Sequence, residues 1–195
     1  MQLGLDCSNY TGEISAQQAQ DLYNSGIRFA IIQAVSPPRP YPPSVTRQQI
    51  QVLRAAGIEV SAYVYLWNGE SQSQLLRRLA LLDGMDVSEV WIDVEDTTPG
   101  YSAGERIQAV REAVVAVESA GFTVAGIYTG KWYWLAYMDN TTAFAGLPLW
   151  AAQYDGIASI EVIDLFGGWQ QCAVKQYEGT SYLAGVHMID LDCRD

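Results

Sequence analysis

Between Val60 and Trp67 the chain alternates without a fault: Val60, Ala62, Val64 and Leu66 fall on one side, Ser61, Tyr63, Tyr65 and Trp67 on the other. A period of two marks a β-strand whose faces meet different surroundings. Runs of strand character recur at 3–7, 29–35, 90–96, 123–130, 149–154, 173–177 and 185–190, giving eight predicted strands. Between most of them the spacing is helical. Ser15 can cap a helix that carries Ala19, Leu22 and Tyr23 on one face and stops near Gly26. Ser44 opens a second helix ending at Gly57, and Leu75, Leu76, Leu79 and Leu82 mark a third ending at Gly84. Ser102 and Glu105 form a capping box ahead of Ile107, Val110, Val114 and Val117, a helix closed by Gly121. Residues 131–138 read as a short aromatic helix. The prolines of segment 36–44 forbid helix interior and sheet ladder alike, so a surface loop is expected there.

Strands alternating with helices imply parallel pairing through right-handed crossovers, and eight of them suggest a βα barrel. Two features modify that plan. Only Glu178–Ala184 separates strands seven and eight, too little for a parallel crossover, so that pair is expected as an antiparallel hairpin. The 195 residues are also few against the roughly 250 of a complete (β/α)8 barrel. The expected fold is therefore α/β: one domain over residues 1–195, an irregular, shortened TIM-like barrel with its last strands antiparallel. An open doubly wound sheet is the alternative. No GxGxxG or GxxxxGK[ST] loop supports a nucleotide site.

A content of 49% hydrophobic and 17% charged residues suits one sizeable core. No apolar run approaches the roughly 20 residues needed to span a bilayer, and no basic start with an apolar run behind it signals secretion. The net charge of −11, with scattered basic residues, argues against nucleic acid and against an anionic membrane surface. Neither partner is expected. Cys7, Cys172 and Cys193 have no CxxC spacing; a Cys7–Cys193 bridge is conceivable, but three free buried thiols are expected.

The chemistry concentrates in Val90-Trp91-Ile92-Asp93-Val94-Glu95-Asp96. In a barrel the helix-facing side of each strand must be apolar, which assigns Val90, Ile92 and Val94 outward and turns Trp91, Asp93 and Glu95 inward. The same parity puts Leu3 and Leu5 outside with Gly4 and Asp6 inside, and Ile189 outside with Met188 and Asp190 inside. Asp6, Asp93, Glu95 and Asp190 then converge at the C-terminal mouth, where sites of this fold lie. The bland alternative is four solvated strand ends. Matching parity without a nearby Lys or Arg favours a cluster in which at least one acid keeps its proton. A protonated acid beside ionised ones is the equipment for glycosidic bond cleavage.

Tyr63, Tyr65 and Trp67 share the inward parity of strand three, Tyr128 ends strand five, and Trp150 and Tyr154 lie on strand six. Aromatic faces stack on the C–H faces of pyranose rings. Tyr63, Tyr65, Tyr128, Trp150, Tyr154 and Gln153 are thus the candidate substrate contacts, with core filling the competing role for the rings. The lone His187 has the opposite parity to Asp190 and is expected to pack against a helix, which leaves no triad base and no His-rich zinc site. An all-carboxylate divalent site at the mouth stays open as a minor alternative; no cofactor or metal is expected.

Taken in order, "LGLDCSNYTG" (3–12), "WIDVED" (91–96), "GIYTGKWYW" (126–134), "LPLWAAQYD" (147–155) and "VKQYEGTSYLAGVHMIDLD" (174–192) resemble the segments of family 25 glycoside hydrolases, the Chalaropsis-type lysozymes. The resemblance implies an irregular βα barrel and retaining N-acetylmuramidase activity on peptidoglycan glycan strands, exerted as a monomer at the cell wall. It implies Glu95 as general acid, Asp93 supporting the reacting centre by orienting the substrate's acetamido group, and Asp6 and Asp190 completing the acidic floor. The chain departs from the family at Ala34-Val35-Ser36-Pro37-Pro38, where a Thr-Glu-Gly-like turn is common, and at Tyr63-Val64-Tyr65, where Tyr-His-Phe is common. A non-catalytic glycan-binding barrel and a hydrolase of another N-acetylhexosamine polymer such as chitin are the competing functions.

Overall fold

Eight strands close on themselves in sequence order: β1 (Gln2–Cys7), β2 (Ile27–Gln33), β3 (Glu59–Tyr65), β4 (Glu89–Asp93), β5 (Thr123–Gly130), β6 (Leu149–Ala152), β7 (Val174–Leu183) and β8 (Val186–Arg194). The computed structural model describes residues 1–34 and 43–195. From β1 to β7 all neighbours pair in parallel, while β8 runs antiparallel to both β7 and β1 and seals the barrel. The expected barrel is found, closed, with the predicted antiparallel end. The proline-rich loop expected at 36–44 lies mostly outside the described residues.

The crossovers carry α1 (Ala16–Asn24), α2 (Pro43–Ala55), α3 (Gln72–Leu79) with a 3-10 turn over Ala80–Leu82, α4 (Ala103–Ser119) and α5 (Lys131–Tyr137). Ser15 with Gln18 and Ser102 with Glu105 form full capping boxes, and Ser71 with Gln74 adds a third. Each satisfies N–H groups that have no partner in the first helical turn. Helix α2 begins at Pro43, one residue before the predicted opening; proline suits a first helical position because its missing N–H would go unused there.

Strand parity divides the interior in two. Leu5, Ile32, Val64, Val90, Ile92 and Ile127 pack outward against Leu22, Leu53, Leu79, Val110 and Val117 of the helices. Phe29, Ile31, Tyr63, Trp91, Tyr128, Trp150 and Val174 fill the barrel itself. Gly4 is required at the floor: a Cβ there would lie 2.3 Å from the Phe29 ring. The inner aromatics thus form a plug on which the mouth residues rest.

The last hairpin is longer than its sequence suggests. Glu178–Ala184, read above as a connection, completes β7 and reaches a tight turn in which Ala184 and Gly185 both have positive φ, 53° and 79°. Two left-handed residues in a two-residue loop match the right-handed twist of the strands. Register shifts between Gln176 and Tyr182 bend the hairpin, and Met188 takes φ 56°. The simple alternation therefore fails locally: Met188 is 48% exposed instead of pointing into the barrel. His187 is exposed as well and stacks on Tyr182 at 4.3 Å between ring centroids, not on a helix. Cys7, Cys172 and Cys193 are free and buried; Cys7 and Cys193 sit at opposite ends of the β1–β8 ladder. Among the described residues no helix is long and apolar enough to cross a membrane.

Candidate active site

The acid-bearing end of β4 is fastened on every side. The backbone N–H of Leu66 donates to Asp93 O at 2.9 Å, and that of Val94 to Tyr128 O at 2.9 Å. Thr129 Oγ1 donates to Val94 O at 2.8 Å. Beyond Glu95, the Asp96 carboxylate accepts from Asn68 N, Thr98 N and Thr98 Oγ1, at 2.7, 3.0 and 2.7 Å. The buried Arg106 guanidinium bonds Asp96 O and Thr98 O, and the Tyr133 hydroxyl donates to Asp96 O. Glu95 thus projects between two immobilised peptides, 94 and 96. Asp96, the third acid of its segment, is a clamp for the β4–α4 loop.

Five carboxylates meet above the aromatic plug. Asp6 and Asp93 are buried, Glu95 and Asp190 half-buried, and Asp192 wholly buried. Asp6 and Asp190 are direct partners across the β1–β8 ladder. The buried amide of Gln176 bridges them, with Nε2 donating to Asp6 Oδ2 at 2.6 Å and to Asp190 Oδ2 at 3.1 Å. The hydroxyls of Tyr128 and Tyr154 both donate to Gln176 Oε1 at 2.8 Å. The Thr180 N–H reaches Asp190 Oδ1. Asp192 accepts from Trp150 Nε1 at 2.8 Å. Among the described residues Asp93 Oδ1 and Asp192 Oδ2 have no hydrogen-bond partner.

Crowding acids in a low-dielectric pocket favours their neutral forms. Burial, and then the charge of Asp190, push Asp6 up to about 8. Burial followed by the charges of Glu95 and Asp6 raises Asp93 well above the usual carboxylate range. Glu95 is raised by burial and by Asp190. Burial also raises Asp190, opposed by the Thr180 N–H. Asp192 is raised far above that range by burial and then by the charge of Asp6. Basic groups are engaged elsewhere: Lys175 with Asp155, Arg78 with Glu70, Arg106 with loop carbonyls. Among the described residues no ion pair reaches the five acids, and no group of three or more His, Cys, Asp or Glu is arranged to hold a metal ion.

Of the sequence candidates, Asp6, Asp93, Glu95 and Asp190 come together at the mouth. Tyr63 and Trp150 belong to the plug, in edge-on contact at 6.0 Å. Tyr128 and Tyr154 line the acids through Gln176. Tyr65 is half-buried against Trp67 at 4.5 Å. Gln153 is not brought to the cluster: β6 ends at Ala152, and the Gln153 amide bonds Asp155 Oδ2 and receives Asp164 N. Sequence reasoning passed over Asp192 and Gln176. Extending the parity of strand eight by two residues reaches Asp192, and the same test on strand seven turns Gln176 inward beside Val174.

A closed βα barrel with converging acids at the C-terminal ends of its strands has the layout of a glycoside hydrolase. The family model of glycosyl hydrolases family 25 matches residues 5–186, so the chain belongs to that family and is a glycoside hydrolase of the lysozyme type. Probable GH family 25 lysozyme 4 of Dictyostelium discoideum is 30% identical over 172 residues, covering 86% of this chain and 80% of that protein. The fold is shared with the muramidase from Trichobolus zukalii, at TM-score 0.78 and 22% identity over 100% of this chain and 94% of the other. It is shared too with the bacterial lysozyme from Streptomyces coelicolor, at TM-score 0.80 and 18% identity over 100% and 92%.

Proposed function

We propose that the chain is an N-acetylmuramidase that cleaves the β-1,4 bond between N-acetylmuramic acid and N-acetylglucosamine in peptidoglycan, with retention, acting on the cell wall as a monomer. The observation that carries the reading is the convergence of Asp6, Asp93, Glu95 and Asp190 in one pocket with no ion pair to neutralise them among the described residues. Glu95, half-buried and with its proton affinity raised, is the general acid: its proton goes to the glycosidic oxygen as the bond to the anomeric carbon breaks. Asp93 orients the substrate's acetamido group toward the same carbon. Its buried Oδ1 accepts from no donor among the described residues and is free to take an amide N–H from the sugar. Asp6 and Asp190 hold the substrate and tune the acid. Tyr65, Tyr128 and Tyr154 are the aromatic contacts nearest the opening, while Tyr63 and Trp150 support them from below.

Digestion of purified peptidoglycan by the wild type and by Glu95→Gln, followed by identification of the new reducing ends, tests this. Muramic acid ends from the wild type and none from the variant are expected. Binding without release would make the barrel a glycan-binding module, and cleavage confined to chitin would redirect the substrate; either result overturns the proposal.

A further inference from the structure

The amide of Gln176 lies at the centre of the acid cluster and cannot ionise, and its four hydrogen-bonding positions are all used. Two phenols donate to Oε1, so the amide cannot turn over without facing its oxygen to two carboxylates. Those phenols stay protonated: burial pushes Tyr154 up to about 12 and Tyr128 well above its ordinary value. The carboxylate side of the amide is therefore a fixed pair of donors, one aimed at each acid. The two acids do not receive them equally. Asp190 has a donor on both oxygens, from Gln176 and from Thr180 N. Asp6 has Gln176 on one oxygen and Asp192 beside it. Donors on both oxygens favour the ionised form. Asp190 is thus built to be the charged member of the pair, and its charge is what bears on Glu95.

We propose that Gln176 is a positioning residue: by donating from a locked amide it keeps Asp190 ionised opposite Asp6, and the ionised Asp190 holds the proton on Glu95. The proposal rests on the glycosidase reading for its purpose but not for its test. The charged and titratable groups facing the pair are Asp93 and Glu95 from β4, and Asp192 from β8. Tyr63, Tyr128 and Tyr154 face it from β3, β5 and the segment after β6, and Cys7 adjoins Asp6 on β1. The β2 side chains packed below are the apolar Phe29 and Ile31.

The test is carboxyl 13C NMR titration of the substrate-free protein with labelled Asp and Glu, for the wild type and Gln176→Met. Loss of both donors is expected to raise the midpoints of Asp6 and Asp190 together, by about one pH unit at Asp190. The acid limb of the kcat profile on peptidoglycan should move up with it while KM changes little. Should Gln176→Met fail to fold, the double variant Tyr128→Phe, Tyr154→Phe leaves the amide present but free to turn, and the same midpoints must rise. A folded variant of either kind whose Asp190 midpoint is unmoved overturns the proposal and makes Gln176 a packing residue. Because the titration needs no substrate, shifted midpoints in a protein that does not cut peptidoglycan would sink the muramidase reading and leave this one standing.

Discussion

The indole N–H of Trp150 on β6 donates to Asp192 Oδ1 on β8 at 2.8 Å, passing over β7 to join two strands that are not neighbours. The same indole meets Tyr63, Trp91 and Tyr128 at 6.0, 5.8 and 4.4 Å between centroids. One side chain therefore serves as both the keystone of the plug and, among the described residues, the sole side-chain donor to the deepest acid. Trp150→Phe removes the donor and leaves a gap. A loss of about 2–4 kcal/mol is expected in urea unfolding; a loss under about 0.5 kcal/mol would mean that the bond is incidental.

Burial and then the charge of Asp6 favour the neutral form of Asp192 in the folded state, and an amide is close to isosteric with that form. Asp192→Asn should fold, with stability near that of the wild type at pH 5. At pH 8 it should be the more stable of the two by about 1 kcal/mol, since wild-type Asp192 must then take up a proton on folding or bury a charge, and the amide does neither. Parallel urea titrations at the two pH values check this, and an equal difference at both would contradict it.

Stability should respond to pH with a definite sign. Asp6, Asp93, Asp190 and Asp192 bind protons more tightly folded than at their ordinary value of 3.8. The stabilisation they give is complete below that value and is lost as pH rises through the folded values, which for Asp6 is about 8. Asp155 has the reverse sign. Burial raises it, but hydrogen bonds from Lys175, Ile157 N and Gln153 prevail and bring it to about 2. Its contribution, small for a partly exposed group, is present above the ordinary value and lost below. The unfolding free energy should therefore peak near pH 4–5 and fall toward pH 9, at about 1 kcal/mol per pH unit. A flat or rising curve between pH 5 and 8 would refute the proton assignments.

Glu95→Gln should cut turnover on peptidoglycan by about 10²–10⁴-fold, the usual contribution of a general acid, and leave the fold intact. In the wild type the alkaline limb of the rate profile should lie above the ordinary glutamate value of 4.5, because Glu95 must be protonated to act. Steady-state assays across pH measure both, and a wild-type rate profile with no alkaline limb would exclude this role.

Gly126→Ala probes the barrel wall. A Cβ there would lie 2.3 Å from the Pro148 carbonyl oxygen and 2.5 Å from the Trp91 ring. The backbone oxygen cannot swing aside as a flexible side chain would. A destabilisation of about 3 kcal/mol is expected by thermal or urea unfolding, and a change under 1 kcal/mol would show that the strands can part.

The alternation of β1, β3 and β4 is enough to assign their inner and outer faces, because a strand between a helix layer and an aromatic plug has no freedom to be apolar on the wrong side. That logic found Asp6, Asp93 and Glu95. It faltered at the last hairpin, where bulges break the period of two: Met188 and His187 were misassigned there. The turn itself was hidden because Ala184 takes a left-handed conformation usually signalled by Gly or Asn. Asp192 was overlooked because strand eight was ended two residues early, and Gln176 because a neutral amide carries no charge to draw notice. Gln153 looked like a strand residue in a strand that stops one position before it.

The seam between β1 and β8 has a consequence for folding. Asp6 lies on the first strand of the barrel and Asp190 and Asp192 on the last, and only the β1–β8 pairing brings them face to face. A chain folded only as far as β7 therefore carries the aromatic plug and the DVE segment but no assembled pocket. On this architecture the acid cluster comes into being in the same event that closes the barrel.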